Sequence, residues 1–391
     1  MARKWSINGR FLGQAVTGVQ RYASEVVRCI DEIIYRSGAG DGLEVELLCP
    51  PNADRELPLK AIRQRRVGHL TGHAWEQLAL PVYVRGGLLS LCNTGPVTVR
   101  KQIVCIHDLN TRSYPQSYSR AFRAVYGTLL PALGRSARAI ATVSHHSASE
   151  LERQRICTRD KIFVAPNGHE HVLLWSDGEE VALPATVGRD TIVVMGSTTP
   201  HKNVGLIIGM AKKLEAAGLR IAVVGAIDSR VFSSAVLMDE APNVDWLGRL
   251  SDRELDALLR RAHCLAFPSF VEGFGLPLLE AMTVGCPVVS SNTASMPEIC
   301  GDAALYASPN NPEEWFENFM RLRRETGLRE QMIMRGWARV RRFRWQATAQ
   351  LYLDVMSRID GVAATRDEAA ARPVHLRTGD RHASLSQSPR S

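Results

Sequence analysis

No apolar run in the chain approaches the ~18–20 residues needed to span a bilayer, and the first residues lack the apolar core of a signal peptide. Any membrane contact is therefore expected to be peripheral. The eight cysteines are scattered, with no pair at metal-ligand or redox spacing, so they read as small buried hydrophobes of a reducing cytoplasm. No Asp-x-Asp motif occurs, and no strand is followed by Gly-x-Gly-x-x-Gly. The first absence argues against a catalytic metal and the second against a nicotinamide oxidoreductase. His145 and His146 are adjacent, but neighbours in sequence point apart and no third ligand lies nearby. What the chain does have is 391 residues, 45% of them apolar, enough for two or three domains at ~150 residues each. A net charge of +8 favours anionic partners, and nucleic acid and anionic membrane both qualify on charge alone.

The most informative stretch runs from His263 to Gly301. Cys264 to Phe267 reads as a buried strand stopped by Pro268 and Ser269. Glu272-Gly273-Phe274-Gly275 follows, and this glycine density lets backbone approach a ligand closely. Pro277 suits the first position of a helix, which places Glu280 in its first turn, and Gly285 can close that helix. Pro287 to Ser290 reads as the next strand. The free N–H groups of a helix start suit phosphate. The flanking carboxylates suit hydroxyls. Phosphate beside polyol describes a nucleotide sugar.

Glu272 and Glu280 lie eight apart around Gly-Phe-Gly-Leu-Pro, and Glu280 opens Glu-Ala-Met, which is followed by Gly-Cys-Pro-Val-Val and the distal Pro297-Glu298. Together these resemble the donor site of retaining family 4 glycosyltransferases with the GT-B fold. The resemblance implies that Glu280 holds the ribose hydroxyls. It also implies that Glu272 and the backbone of Gly273, Phe274 and Gly275 face the transferred sugar, while the N–H groups near Gly275 and Leu276 are placed to meet the charge on the leaving phosphate. Lys202 stands where the family places a lysine on the donor diphosphate. The arginine the family often carries some six residues earlier is absent, with Ser197 nearest, which leaves one fixed cation fewer. His107 follows a strand as the family's sugar-approaching histidine does, and the loop at Gly18 is comparable to one lining the cleft opposite the donor.

Along the rest of the chain, Trp5–Ile7, Val45–Leu48, Ile103–Ile106, Ala139–Val143 and Ile162–Ala165 read as strands. A helix opens at Thr17, with Thr17 and Gln20 spaced as a capping box, and Ser147 and Glu150 suggest a second box. Residues Arg63, Arg65 and Arg66 read as part of a polar stretch. Arg120 to Arg138 carries the apolar residues Phe122, Val125, Tyr126, Leu129, Leu130 and Leu133 among arginines. A core helix with solvated arginines is one reading, and a basic amphipathic surface for phospholipid or lipid pyrophosphate is the other. The αβ rhythm restarts at Thr191–Met195, with a helix from Val204 to Gly218, strands at Leu219–Val224 and Asn243–Leu247, and a helix capped by Ser251 and Glu254.

The expected fold class is α/β, with two doubly wound Rossmann-like domains. Their facing arrangement across a cleft, and a last helix crossing back, come from the resemblance. Residues 1–180 would form the acceptor-side domain, 190–345 the nucleotide-sugar domain and 346–360 the crossover helix, with 361–391 a disordered tail. The expected activity is transfer of a hexose from a nucleotide-diphosphate sugar to a saccharide or lipid-linked acceptor, with configuration retained and with neither cofactor nor metal. Thr-Gly-Val-Gln-Arg-Tyr and His-Asp-Leu resemble stretches of bacterial polysaccharide mannosyltransferases, which favours mannose. Such an enzyme would be cytoplasmic, with peripheral contact at an anionic membrane and no nucleic-acid partner. The alternatives are another GT-B enzyme, a sugar phosphorylase or nucleotide-sugar epimerase, and a non-catalytic basic nucleic-acid-binding protein.

Overall fold

The computed structural model describes residues 3–38, 42–175, 181–196, 199–225 and 242–362. The predicted tail from 363 onward lies outside these residues, as does Ser197. Among the described residues the first sheet holds β1 (Arg3–Asn8), β2 (Leu43–Cys49), β3 (Arg63–Arg66), β4 (Gly87–Ser90), β5 (Gln102–Cys105), β6 (Ala139–Thr142) and β7 (Ile162–Val164). Their order is β3-β2-β1-β4-β5-β6-β7, parallel throughout. The second sheet holds β8 (Thr191–Met195), β9 (Arg220–Val224), β10 (Val244–Gly248), β11 (Cys264–Phe267), β12 (Val288–Ser291) and β13 (Ala304–Ala307). Its order is β10-β9-β8-β11-β12-β13, again parallel. Each sheet winds outward from a central strand and then jumps back past it. That reversal opens a crevice at the carboxyl ends of β1 and β4 in one sheet and of β8 and β11 in the other.

Parallel strands covered on both faces read as unbroken apolar runs. Cys264, Leu265 and Ala266 are fully buried, and so are Ile192, Val193 and Val194. This explains why β8 and β11 appear in the sequence with the bounds they have in the structure. Three strands escape that signal. β3, read as part of a polar stretch, is an edge strand paired on one side only, so its arginines can face out, and Arg65 Nη1 donates to Glu46 Oε2 at 2.7 Å. β4 opens on Gly87, directly after Gly86, and a Cβ at Gly87 would fall 2.5 Å from the Trp5 ring. β13 is four residues long and lies at the other edge of its sheet.

The helices used below are α1 (Gly18–Ser37), α2 (Arg120–Ser136), α3 (His145–Arg153), α4 (Val204–Ile208), α5 (Ala211–Ala216), α6 (Asp252–Arg261), α7 (Leu276–Thr283), α8 (Pro312–Arg324), α9 (Leu328–Val340) and α10 (Trp345–Ile359). The expected long helix after Val204 is broken at Gly209-Met210 into α4 and α5. Ser144, rather than Ser147, caps α3 by accepting from the Ser147 N–H at 3.0 Å. The Ser251–Glu254 box forms as expected, with the Ser251 N–H donating to Glu254 Oε2 at 2.7 Å. α2 departs from the core-helix reading, because it buries Leu130 and Leu133 while Phe122 and Val125 stay exposed. No described helix is long and apolar enough to cross a membrane.

α10 packs on the first unit. Tyr352 and Tyr22 on α1 share a hydroxyl hydrogen bond of 2.8 Å. Just past the helix, Asp360 accepts from Arg3 Nε at 2.8 Å and Trp5 Nε1 at 2.9 Å, and its other oxygen meets Lys101 at 2.6 Å.

Candidate active site

β8 and β11 are neighbours at the point where their sheet reverses, so the loops leaving their carboxyl ends meet. The β8 loop brings Lys202, and the β11 loop brings Ser269 and Glu272. Lys202 Nζ donates to Glu272 Oε1 at 2.7 Å, and Ser269 Oγ donates to the same oxygen at 2.7 Å. Both bonds use Oε1, and Oε2 has no partner among the described residues. The carboxylate is therefore fixed in orientation with one oxygen still able to accept. Lys202 keeps 25% of its side chain exposed, so its ammonium can turn toward a second anion.

Glu280 does not lie in the first turn of α7 as the position of Pro277 suggests. The helix begins at Leu276, which makes Glu280 its fifth residue, and the helix start therefore does little for that charge. Its environment is assembled from elsewhere. Glu280 Oε1 accepts from His171 Nε2 at 3.2 Å and lies 4.0 Å from Arg21 Nε on α1. Trp345 Nε1 donates to His171 Nδ1 at 3.0 Å. An indole N–H can only donate, so Nδ1 is the accepting nitrogen and the proton sits on Nε2, facing the carboxylate. His171 and Trp345 went unremarked as site residues in the sequence. Trp345 ends an aromatic–arginine run, Arg341 to Trp345, that is itself a local signal, whereas His171 carries none.

The turn between the two glutamates is held by the first unit. Gly273 O accepts from Ser144 Oγ at 2.6 Å and Ser147 Oγ at 3.1 Å. A Cβ at Gly273 would lie 2.2 Å from the His107 carbonyl, so only glycine permits this approach. Gly275 adopts φ +92°, a left-handed conformation that favours glycine. The side chains of Phe274 and Leu276 are buried, with Phe274 edge-on to Phe343 at 5.7 Å. Only their backbone can serve a ligand. Glu298, the second half of the distal Pro-Glu, accepts from the N–H groups of His145 at 2.8 Å and His146 at 3.0 Å at the start of α3.

His107 is buried, with Nε2 hydrogen-bonded to the Leu91 carbonyl at 2.9 Å and its ring edge-on to Tyr22 at 4.8 Å. That fixes the ring and leaves Nδ1 without a partner among the described residues. Beside it, burial pushes the Asp108 carboxyl up, and the nearby Glu272 charge adds to this against a hydrogen bond from the Asn110 N–H. Burial pushes the neighbouring His201 down, helped by the Lys202 charge, so this ring stays neutral and shares a 3.0 Å hydrogen bond with Ser117 Oγ. Gly18 is exposed at the first position of α1, one turn ahead of Arg21, which pairs with Asp252 at 2.9 Å across the cleft. The structure thus brings Lys202, Glu272, Asp108 and His201 together, and gathers Glu280, His171 and Arg21 at the other end of the turn.

Residues 179–338 match the family described as Glycosyl transferases group 1. The chain is 27% identical over 363 residues to O-antigen chain mannosyltransferase B of Escherichia coli, covering 85% of this chain and 93% of that one. It is 26% identical over 243 residues to the O-antigen chain mannosyltransferase RfbU of Salmonella typhimurium, covering 61% and 66%. Sucrose-phosphate synthase of Thermosynechococcus elongatus has a similar structure, with a TM-score of 0.68 at 17% identity over 92% of this chain and 99% of that one. The strand orders, the facing crevices and these likenesses agree: the chain carries a group 1 glycosyltransferase domain set in a GT-B fold of two Rossmann-like units.

Proposed function

We propose that this enzyme transfers mannose from a nucleotide-diphosphate sugar to a hydroxyl of a saccharide or lipid-linked saccharide, retaining the anomeric configuration and using no metal. We place it in the cytoplasm, at the inner face of the membrane, in the synthesis of a cell-surface polysaccharide. The observation that carries the reading is the Lys202–Glu272 pair at the reversal of the second sheet, a half-open carboxylate beside a cation that can still turn. The likeness to two O-antigen mannosyltransferases supports mannose and the polysaccharide.

In this reading the bond from the anomeric carbon to the donor's phosphate oxygen breaks, and a bond to the acceptor oxygen forms on the same face. The acceptor proton passes to the departing phosphate oxygen. Negative charge grows on the diphosphate as the sugar becomes cationic, so a fixed ammonium there acts most strongly in the transition state. Lys202 supplies it. Glu272 Oε2 accepts a hydroxyl of the sugar and fixes its orientation. Glu280, oriented by His171, accepts the ribose hydroxyls.

A thermal-shift screen across nucleotide sugars tests the donor. A ligand at a hundredfold its dissociation constant adds about 2.7 kcal/mol, and GDP-mannose is expected to give the largest shift. Proton NMR of the first product then reads the anomeric configuration. An inverted product sinks the mechanism, and a larger shift with another nucleotide sugar sinks the choice of mannose. Turnover that requires inorganic phosphate would move the enzyme to the phosphorylases.

A further inference from the structure

The first half of α2 has features that its role as a structural helix does not explain. From Arg120 to Val125 every residue is exposed, including Phe122 at 37% and Val125 at 47%. Arg120 and Arg123 stand in the first turn with no acidic residue beside them, where cations oppose the helix dipole. These two arginines and Arg112 line a cavity of about 560 Å³ together with Thr111 and Pro115. Among the described residues none of the three arginines pairs with a carboxylate, and Arg112 makes only 3.4 Å contacts to the carbonyls of Gln154 and Gly127. A concave surface with three uncompensated guanidinium groups suits a phosphate or diphosphate.

The adjoining part of α2 forms one wall of a second groove of about 300 Å³, lined by Val97, Val125, Leu129 and Ala132. The segment that supplies its rim at His73 and Gln77 also leaves Leu78 and Val82 largely exposed. Exposed apolar surface of this extent beside a cationic pocket is what an amphiphile requires. The two grooves also join the transfer site. Tyr114 stacks on Phe270, two residues before Glu272, at 6.0 Å. His201, next to Lys202, stacks on Tyr118 at 6.4 Å, Tyr118 on Phe122 at 5.5 Å and Phe122 on Tyr126 at 4.2 Å. A free anion would not need the apolar groove, and an uncharged saccharide would not need three arginines.

We propose that this face of α2 holds the anchor of the acceptor, a lipid phosphate. Its phosphate or diphosphate sits among Arg112, Arg120 and Arg123, and its apolar chain lies in the groove lined by Val125 and Leu129. The acceptor sugar then reaches past the Tyr118–Phe122 stack toward Lys202 and Glu272. This rests on the glycosyl-transfer reading above, and the test separates the two.

Calorimetric titration of the full chain with dodecyl phosphate, below its micellar concentration, is expected to show binding about tenfold or more tighter than dodecyl maltoside or inorganic phosphate. The double variant Arg120→Ala/Arg123→Ala should lose about tenfold or more of that affinity, and Val125→Asp should lose a comparable amount. Both should keep the unliganded melting temperature and the shift induced by nucleotide sugar. Equal binding of dodecyl phosphate by wild type and both variants overturns the proposal. Equal affinity for inorganic and dodecyl phosphate also overturns it, since the pocket would then be a free-anion site. So does arginine-dependent sedimentation with phosphatidylglycerol vesicles without binding of the monomeric probe, which assigns the arginines to a membrane surface. A protein that binds dodecyl phosphate but no nucleotide sugar supports the pocket and counts against the donor reading.

Discussion

Arg10 meets Glu76 at 3.0 Å just beyond β1, and Lys202 meets Glu272 at 2.7 Å just beyond β8, the strand in the same position of the second sheet. The first pair is closed on every side. Glu76 accepts from Asn8 Nδ2 and Arg10 Nε on one oxygen and from Thr94 Oγ1 on the other, while Arg10 Nη2 donates to Thr94 Oγ1 at 2.8 Å. Both side chains are buried, at 7% and 1% exposure. The second pair is open, with an unused carboxylate oxygen and a quarter-exposed lysine. Equivalent places in two similar sheets thus hold the same chemistry for different ends. Where every lone pair is used, the pair can only hold the loop. Where one is left over, it can take a ligand.

Breaking the closed pair should have the largest effect, and on stability. Glu76→Ala strands a buried guanidinium and should cost about 3–5 kcal/mol, read by urea unfolding, while Arg10→Met/Glu76→Leu together should cost far less. Burial pushes the Glu76 carboxyl up, but His73, Arg10, Thr94 and Asn8 outweigh it and hold the carboxyl below its ordinary value of 4.5. Its folded value is therefore depressed. The stabilisation is complete above pH 4.5 and is lost as the pH falls through the folded value. A wild-type stability independent of pH below that point, or a loss under about 1 kcal/mol in Glu76→Ala, would remove the distinction between the two pairs.

Breaking the open pair should leave stability alone and cut turnover. Lys202→Ala is expected to lower kcat by about 10²–10³ with a smaller effect on donor affinity, and its melting temperature should stay near that of the wild type because the pair is partly solvated. Chelator should not reproduce the defect. Variant kcat within about threefold of wild type, against that expected 10²–10³, or a strict magnesium requirement in the parent, would defeat the role given to the ammonium.

The open pair was legible in the sequence and the closed one was not. Glu272 and Lys202 sit in loops dense with glycine and proline, each next to an apolar strand that the sequence reveals with its observed bounds. Arg10 and Glu76 are joined only by a fold that brings residues 66 apart into contact, and nothing local marks them. The same holds for His171, whose partner Trp345 lies 174 residues away and reaches it because α10 returns to the first unit. Strand β3 was hidden for a different reason, since an edge strand need not be apolar. Local pattern identifies what a short segment does alone. Contacts that depend on chain return stay silent.

A milder effect is expected at Glu280. If it accepts both ribose hydroxyls, Glu280→Ala should weaken binding of the nucleoside diphosphate and of its sugar conjugate alike, by about 1.5–3 kcal/mol. A folded variant with unchanged diphosphate affinity would remove the assignment and leave Glu280 as a partner for His171 alone.

The smallest change tests whether the far end of the crossover helix reaches the donor. Trp345→Phe removes the indole N–H that His171 Nδ1 accepts while keeping an aromatic ring in the same buried place. Without that donor the imidazole can take the other tautomer, which points an unprotonated Nε2 at Glu280 Oε1 and turns an attraction into a repulsion between two acceptors. Glu280 should then be free to rotate, and donor binding should weaken by about 0.5–1.5 kcal/mol, the ordinary worth of one hydrogen bond. The loss should appear in KM for the donor, with kcat nearly unchanged, because the ribose is held equally in ground and transition states. Tyr352→Phe provides the control on the same helix. It removes the 2.8 Å bond to Tyr22, which has no direct contact with Glu280. It should lower the melting temperature slightly and leave donor KM where it was. If both variants shift KM equally, Trp345 acts only by holding α10 in place, and the relay through His171 has no part in orienting the carboxylate.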